Sequence, residues 1–324
     1  MANKAISISR QGFKIGNGKL GKWGAGTGSV KQVVHDGDTV STLFDKNLSV
    51  RFLGIDTPEV SIPLPSDPNN FEATGGAKWD AFFTSGDWKT GLTPEPNLMA
   101  YLNGLIGNGA GIAKNHADHA KESTKALEKI IQDDVTLSGK ADKDFDFFMA
   151  YGFDILDSFA RLLCYLNSDT ANYSNPADAD TVKKKSYNER QLENGAALPY
   201  FIFPNIQPFI NIKPFSQATI APNNFWIMIT QAWKLKQARN FVKQARQNKL
   251  GIYDAVNPLI LAPHELRFIG RQTPPDRFVV DLSQPFSNQL LRPEKYFTIP
   301  NNEDRLYIPK EYAPMFEKFG WVIV

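Results

Sequence analysis

The sequence predicts an α+β fold, and three observations carry that prediction. Residues 1–60 hold short apolar stretches bounded by Gly, Asp and Pro, the punctuation of β-strands. Two later segments, 116–132 and 225–250, instead repeat apolar residues at helical spacing. Apolar residues make up 42% of the 324-residue chain and charged residues 22%, a balance that supports a buried core.

In chain order, residues 1–30 read as a glycine-rich N-terminal arm. Its stretch Gly16 to Trp23, GNGKLGKW, nearly matches a phosphate-binding loop. Trp23 stands where the metal-binding hydroxyl belongs, so a glycine-rich hairpin is the better reading. Lys31–Asp36 and Leu48–Ile55 are expected strands, joined by a turn through 44–47. Residues 61–113 are rich in Pro, Gly and Asn. A structureless loop of that length is uncommon in a compact domain, so an ordered insertion with short helices is expected, one near Leu98–Leu105. Asn115 suits the N-cap of a helix from His116 to Gln132, with Ala120, Leu127, Ile130 and Ile131 as its apolar face. Val135–Leu137 reads as a strand followed by a polar loop, and Arg161–Leu166 as a further strand. Ser186 or Asn188 starts a short helix that ends at Asn194-Gly195. Asn223 or Asn224 precedes the longest helix, Phe225–Leu250, closed by Gly251. Residues 255–324 are too aromatic for a disordered tail, and either pack onto the main body or form a small appendix.

Composition narrows the function. The single cysteine, Cys164, rules out an intramolecular disulfide and a Cys-rich zinc site. His116 and His119 form a lone i, i+3 pair, read as part of a solvated helix face. No apolar run has the length of a membrane span, and the N-terminus lacks the apolar stretch of a signal peptide. The expectation for the chain as written is therefore cytoplasmic. A net charge of +2 offers no global field for a polyanion, so any basic surface must be local. One candidate is the helix at 225–250, which carries Lys and Arg but no acidic residue. Lys236, Arg239, Lys243 and Arg246 share a stripe there. It reads either as a solvated face or as a phosphate-attracting wall.

Chemistry concentrates in two acidic knots, HDGDT at 35–39 and GIDTPE at 54–59. Asp38 and Asp56 lie on neighbouring strands, so their carboxylates can converge on a hard cation, which takes oxygen ligands. Pro58 fixes the turn after Thr57, leaving the Thr57 carbonyl available and aiming Glu59 back toward the strand ends. In a regular strand Arg51 would face away from Asp56; a bulge at Gly54, or an exit from the strand at Asp56, removes the conflict. A cation, an arginine and an uncommitted carboxylate are the equipment of phosphodiester hydrolysis. Ordinary turn chemistry in hairpins is the bland alternative.

Asp36-Gly37-Asp38-Thr39, the run Arg51 to Glu59 and the Asp157 to Arg161 stretch, in that order, resemble the staphylococcal-nuclease (thermonuclease) family. Tyr187 to Ala197 and Gln237 to Tyr253 extend the likeness. The resemblance implies a five-stranded OB-fold barrel with three helices, spanning 31–254, interrupted by the 61–113 insertion and followed by the 255–324 extension. It implies Ca2+ bound by Asp38, Asp56 and the Thr57 carbonyl. Glu59 would act on the attacking water, while Arg51 and Arg161 hold the phosphate. The implied reaction is cleavage of DNA or RNA to 3′-phosphate products, with single strands favoured. Members of the family are often exported.

The chain departs from the family pattern at Ser158 and Phe159, where lysine and tyrosine usually help hold a terminal phosphate. Phe201 and Phe203 stand where two base-flanking tyrosines are usual. Phe159, Phe201 and Phe203 are thus the expected substrate contacts, keeping a stacking face but no phenolic hydroxyl. The 61–113 insertion replaces a shorter loop, and reads as a lid beside the site or as an excursion packed on the C-terminal extension. A non-catalytic nucleic-acid-binding or partner-binding module is the alternative function.

Overall fold

A computed structural model describes residues 6–8, 14–22, 29–43, 47–157, 161–210 and 217–324. Its fold is α+β, built around a closed five-stranded mixed β-barrel. Around the barrel run Lys14–Leu20, Asp146–Leu156, Leu162–Ser168, Asn47–Phe52 and Thr39–Leu43, which returns to Lys14–Leu20. Among the described residues of the barrel, only Asn47–Phe52 and Leu162–Ser168 pair in parallel. Lys14–Leu20 thus makes the segment set apart as an arm a stave of the barrel. Gly16 and Gly18 lie within that strand, not in a phosphate-binding loop.

The first acidic knot is a tight hairpin. Val34–Asp36 pairs with Thr39–Leu43 across Gly37-Asp38, while residues 31–33 of the expected strand Lys31–Asp36 fall in a helical turn, Val30–Val33. A Cβ on Gly37 would lie 2.7 Å from the Ser123 side chain and 3.0 Å from its backbone, so only glycine lets the knot approach that helix. That helix runs from Ile112 to Ser138 and buries Ala120, Leu127, Ile130 and Ile131 as expected. It also absorbs the expected strand Val135–Leu137. Nothing breaks its pattern before Gly139, which caps it at φ 68°, and Val135 extends the same buried face. The strand lies further on, at Asp146–Leu156, where Phe147, Met149 and Tyr151 alternate into the core.

Other expectations hold with altered bounds. A helix spans Pro96–Ile106. Ser186 caps Tyr187–Glu193 with Glu189 in a capping box, and Gly195 follows at φ 64°. The long basic helix is two helices, Pro222–Gln231 and Trp233–Gln247, with Ala232 leaving helical geometry at ψ 77°.

The C-terminal segment is integral to the molecule. Phe278–Asp281, Arg305–Ile308, Leu198–Ile202 and Gly54–Asp56 form a second sheet beside the barrel. Two hydrophobic cores result. The first fills the barrel and extends to Phe316 and Trp321. The second joins the insertion, through Trp79, Phe83, Trp88 and Leu98, to Leu266, Ile269, Tyr296 and Tyr307. The insertion is therefore an excursion packed on the C-terminal segment. It begins as a hairpin, Ser61–Leu64 with Asp67–Ala73, directly after Glu59. None of the described helices is long and apolar enough to cross a membrane.

Candidate active site

Gly54 is the pivot of the site. Its φ of 77° ends the barrel strand at Phe52 and sends Gly54–Asp56 into the second sheet, opposite Leu198–Tyr200. This is the irregularity required to bring Arg51 and Asp56 to one side. Asn188 secures the crossover, donating to the carbonyls of Leu53 at 2.8 Å and Cys164 at 3.1 Å while accepting from Leu166 N–H at 3.0 Å. Gln191 fastens the other knot by donating to the Gly37 carbonyl at 2.5 Å.

These supports bring four of the expected side chains together. Arg51 donates through Nη1 to Asp38 Oδ1 at 3.1 Å and through Nη2 to Asp56 Oδ1 at 2.9 Å. Thr57 N–H donates to Asp38 Oδ2 at 3.2 Å. Glu59 joins the cluster through Arg267, a residue that sequence reasoning missed. Arg267 forks onto Asp56, Nη1 to Oδ1 at 2.8 Å and Nη2 to Oδ2 at 2.7 Å, and its Nη1 also reaches Glu59 Oε1 at 2.6 Å. Arg161 directly precedes the strand Leu162–Ser168, whose Leu163 pairs with Arg51. Asp157 holds it by accepting from Arg161 N–H at 2.9 Å and from Nε at 2.7 Å.

Two expected contacts are corrected. Phe201 and Phe203 are 2% and 0% exposed, with Phe203 packed among Phe225, Tyr312 and Phe316. Both serve the core and present no open face on which a base can stack. Phe159 lies outside the described residues. The HADH histidines are corrected too, because neither is solvated. His116 Nε2 accepts from Glu59 N–H at 2.8 Å, and His119 Nε2 meets the Asn257 carbonyl at 2.9 Å. Asn115, expected as a cap, instead ties the helix to the C-terminal segment through Asn257, Pro258 and Ile260.

Electrostatics follow from this packing. Burial pushes the Asp36 carboxyl well above its usual range, and the neighbouring Asp38 charge adds to the effect. Burial acts on Asp38 in the same direction, but Arg51 and hydrogen bonds hold Asp38 below its ordinary value. Burial raises Glu59 despite the opposing pull of Arg267 and Arg51. Burial drives His116 down to about 3, so its imidazole is neutral and Nε2 is free to accept.

The carboxylates do not fit a calcium ion in this arrangement. Such an ion takes about six to eight oxygen ligands. Both oxygens of Asp56 accept from guanidinium groups, and those of Asp38 accept from Arg51, Thr39 and Thr57. Among the described residues, no group of three or more His, Cys, Asp or Glu side chains is arranged to hold a metal ion. The basic stripe is also partly committed. Arg239 pairs with Asp304 at 2.5 Å and Arg246 with Glu303 at 2.6 Å, clamping the C-terminal segment to the helix.

No family model and no curated protein matches the chain.

Proposed function

We propose that this chain hydrolyses phosphodiester bonds of nucleic acid at the Asp38, Arg51, Asp56 and Glu59 cluster. The observation that carries the proposal is the convergence of Arg51 with two acidic knots from separate sheets, with Glu59 at the edge of the same cluster. The resemblance to the staphylococcal-nuclease family supports it, and so does the five-stranded barrel, a frame suited to single strands.

In this reading Arg51 and Arg161 neutralise charge on the phosphoryl oxygens as the transition state forms. Glu59 accepts a proton from water, and the water oxygen bonds to phosphorus while the bond from phosphorus to the 5′ oxygen breaks. The products are a 3′-phosphate and a 5′ hydroxyl, whose proton comes from solvent. The calcium that the resemblance implies would need oxygens that Arg51 and Arg267 engage, so no step runs through it. DNA and RNA are both open substrates.

One observation favours a second reading, a barrel that binds nucleic acid without cutting it. Glu59 Oε1 is ion-paired to Arg267, so that oxygen is engaged by a guanidinium rather than open to a water. Incubating labelled single-stranded DNA and RNA with the protein and with Glu59→Gln separates the two. Cleavage by the wild type, falling at least about 100-fold in Glu59→Gln, is the expected result. Retained binding without cleavage in the wild type would establish the module instead.

A further inference from the structure

We infer that Arg267 is the resident cation of this site, standing where a divalent metal would otherwise balance Asp56 and Glu59. The inference rests on reading Asp38, Asp56 and Glu59 as the reactive acidic set, and it concerns what neutralises that set.

Geometry is the first support. A guanidinium that forks onto one carboxylate and reaches a second makes three charge-assisted hydrogen bonds, each between 2.6 and 2.8 Å. The planar fork supplies direction as well as charge, which an ammonium group does not.

The second support is anchoring. Arg267 projects from the helix Pro263–Arg271, whose Leu266, Phe268 and Ile269 are buried in the second core. Glu265 fixes the start of that helix by accepting from Ala262 N–H at 2.7 Å, and takes the Tyr296 hydroxyl at 2.6 Å. Gly270 lies so close to Trp79 that a Cβ there would stand 2.9 Å from the indole. The Arg267 guanidinium itself lies 5.9 Å from the centre of the Tyr200 ring. The helix cannot retreat without opening the core that joins the insertion to the C-terminal segment, so the charge is built in.

Charge balance is the third. Asp38, Asp56 and Glu59 face Arg51 and Arg267, and removing Arg267 leaves Asp56 and Glu59 with Arg51 as their nearest counter-charge. Freed oxygens and excess negative charge are what a calcium ion seeks. With Arg267 in place, an added divalent ion would have to displace hydrogen bonds and share a buried site with two cations.

The test reads calcium binding rather than cleavage, using the whole 324-residue chain. The wild type should give no calorimetric binding signal with calcium and no change in melting temperature. Arg267→Ala should melt lower, then rise by roughly 2–4 °C once calcium exceeds its dissociation constant about tenfold. Arg267→Gln, which keeps most of the volume, replaces it should the alanine variant not fold. Arg267→Lys, which keeps a charge, should remain insensitive to calcium. Stoichiometric calcium uptake by the wild type would overturn the inference, as would neutral variants that gain none. A protein that fails to cut nucleic acid would leave these binding results untouched, so the two proposals fail separately.

Discussion

His116 shows how one side chain sets both the geometry and the pH response of this site. Its neutral ring accepts the Glu59 N–H, and burial has moved its pKa from 6.5 to about 3. In the folded chain the ring stays neutral down to that value, whereas in the unfolded chain it gains a proton below 6.5. Its contribution to stability is therefore complete above pH 6.5 and declines as pH falls toward 3, at about 1.4 kcal/mol per unit. Burial also raises the Asp36 and Glu59 carboxyls, which add a pH dependence of their own, so the informative quantity is a difference. The stability gap between wild type and His116→Gln, from urea midpoints, should shrink by about 2 kcal/mol between pH 7 and pH 5. An unchanged gap would mean that the imidazole is not held neutral. His116 and Arg267 were illegible for one reason. The knots advertise themselves through Gly, Pro and clustered Asp, but a histidine on a helix and an arginine in PHELRFIGR carry no local sign of their partners. Arg267 meets Asp56 across 211 positions of sequence.

Between the residue and the molecule, strand ends and helix ends decide what is brought together. An irregularity between Arg51 and Asp56 was legible because the two conflict in a regular strand; a bulge at Gly54 and an exit at Asp56 were both open, and the chain instead leaves the barrel strand after Phe52. Helix termini at Ser186 and Gly195 follow from their capping chemistry, whereas sequence reasoning missed the terminus at Gly139 by ending that helix at Gln132. The strand at Asp146–Leu156 was hidden, because its alternation sits beside a polar, Asp-rich stretch and one of its partners, Lys14–Leu20, lies far away in the chain. The strand at Thr39–Leu43 was hidden because burial on nearly every position erases alternation. Gly54 supplies the sharper prediction. Alanine at φ 77° costs about 1–2 kcal/mol of backbone strain. Space is not the obstacle, since the nearest atom to an added Cβ is the Tyr165 hydroxyl at 3.5 Å. Gly54→Ala should therefore fold with a melting point lowered by a few degrees. It should also lose more cleavage than that instability explains, because the crossover aligns Arg51 with Asp56. Cleavage at the wild-type rate well below the melting transition would detach the pivot from the site.

At the scale of the whole molecule, the C-terminal segment completes both the site and the second core. Trp79 is fully buried, donates to the Ile62 carbonyl at 3.2 Å and touches Gly270 on the helix that carries Arg267. A chain ending at Asp254 would strip Leu261, Leu266, Ile269, Tyr296 and Tyr307 from the insertion, and Arg305–Ile308 from the edge of Leu198–Ile202. It would also leave Asp56 and Glu59 without Arg267. The barrel strands themselves lie outside the deletion, so barrel and insertion should respond differently. The truncated chain should keep much of its β-sheet circular dichroism, bind a hydrophobic dye, and exchange amide protons fastest within 61–113. Trp79→Ala, in the intact chain, approaches the same state from inside. It removes one of the two tryptophans of that core at a cost of about 3–5 kcal/mol. If the second core is what holds Arg267 in place, this distant substitution should also speed exchange in the helix Pro263–Arg271, with little change in the barrel strands. Exchange rising equally in barrel and helix would instead mark the two cores as one cooperative unit, and Arg267 as no easier to free than any barrel residue.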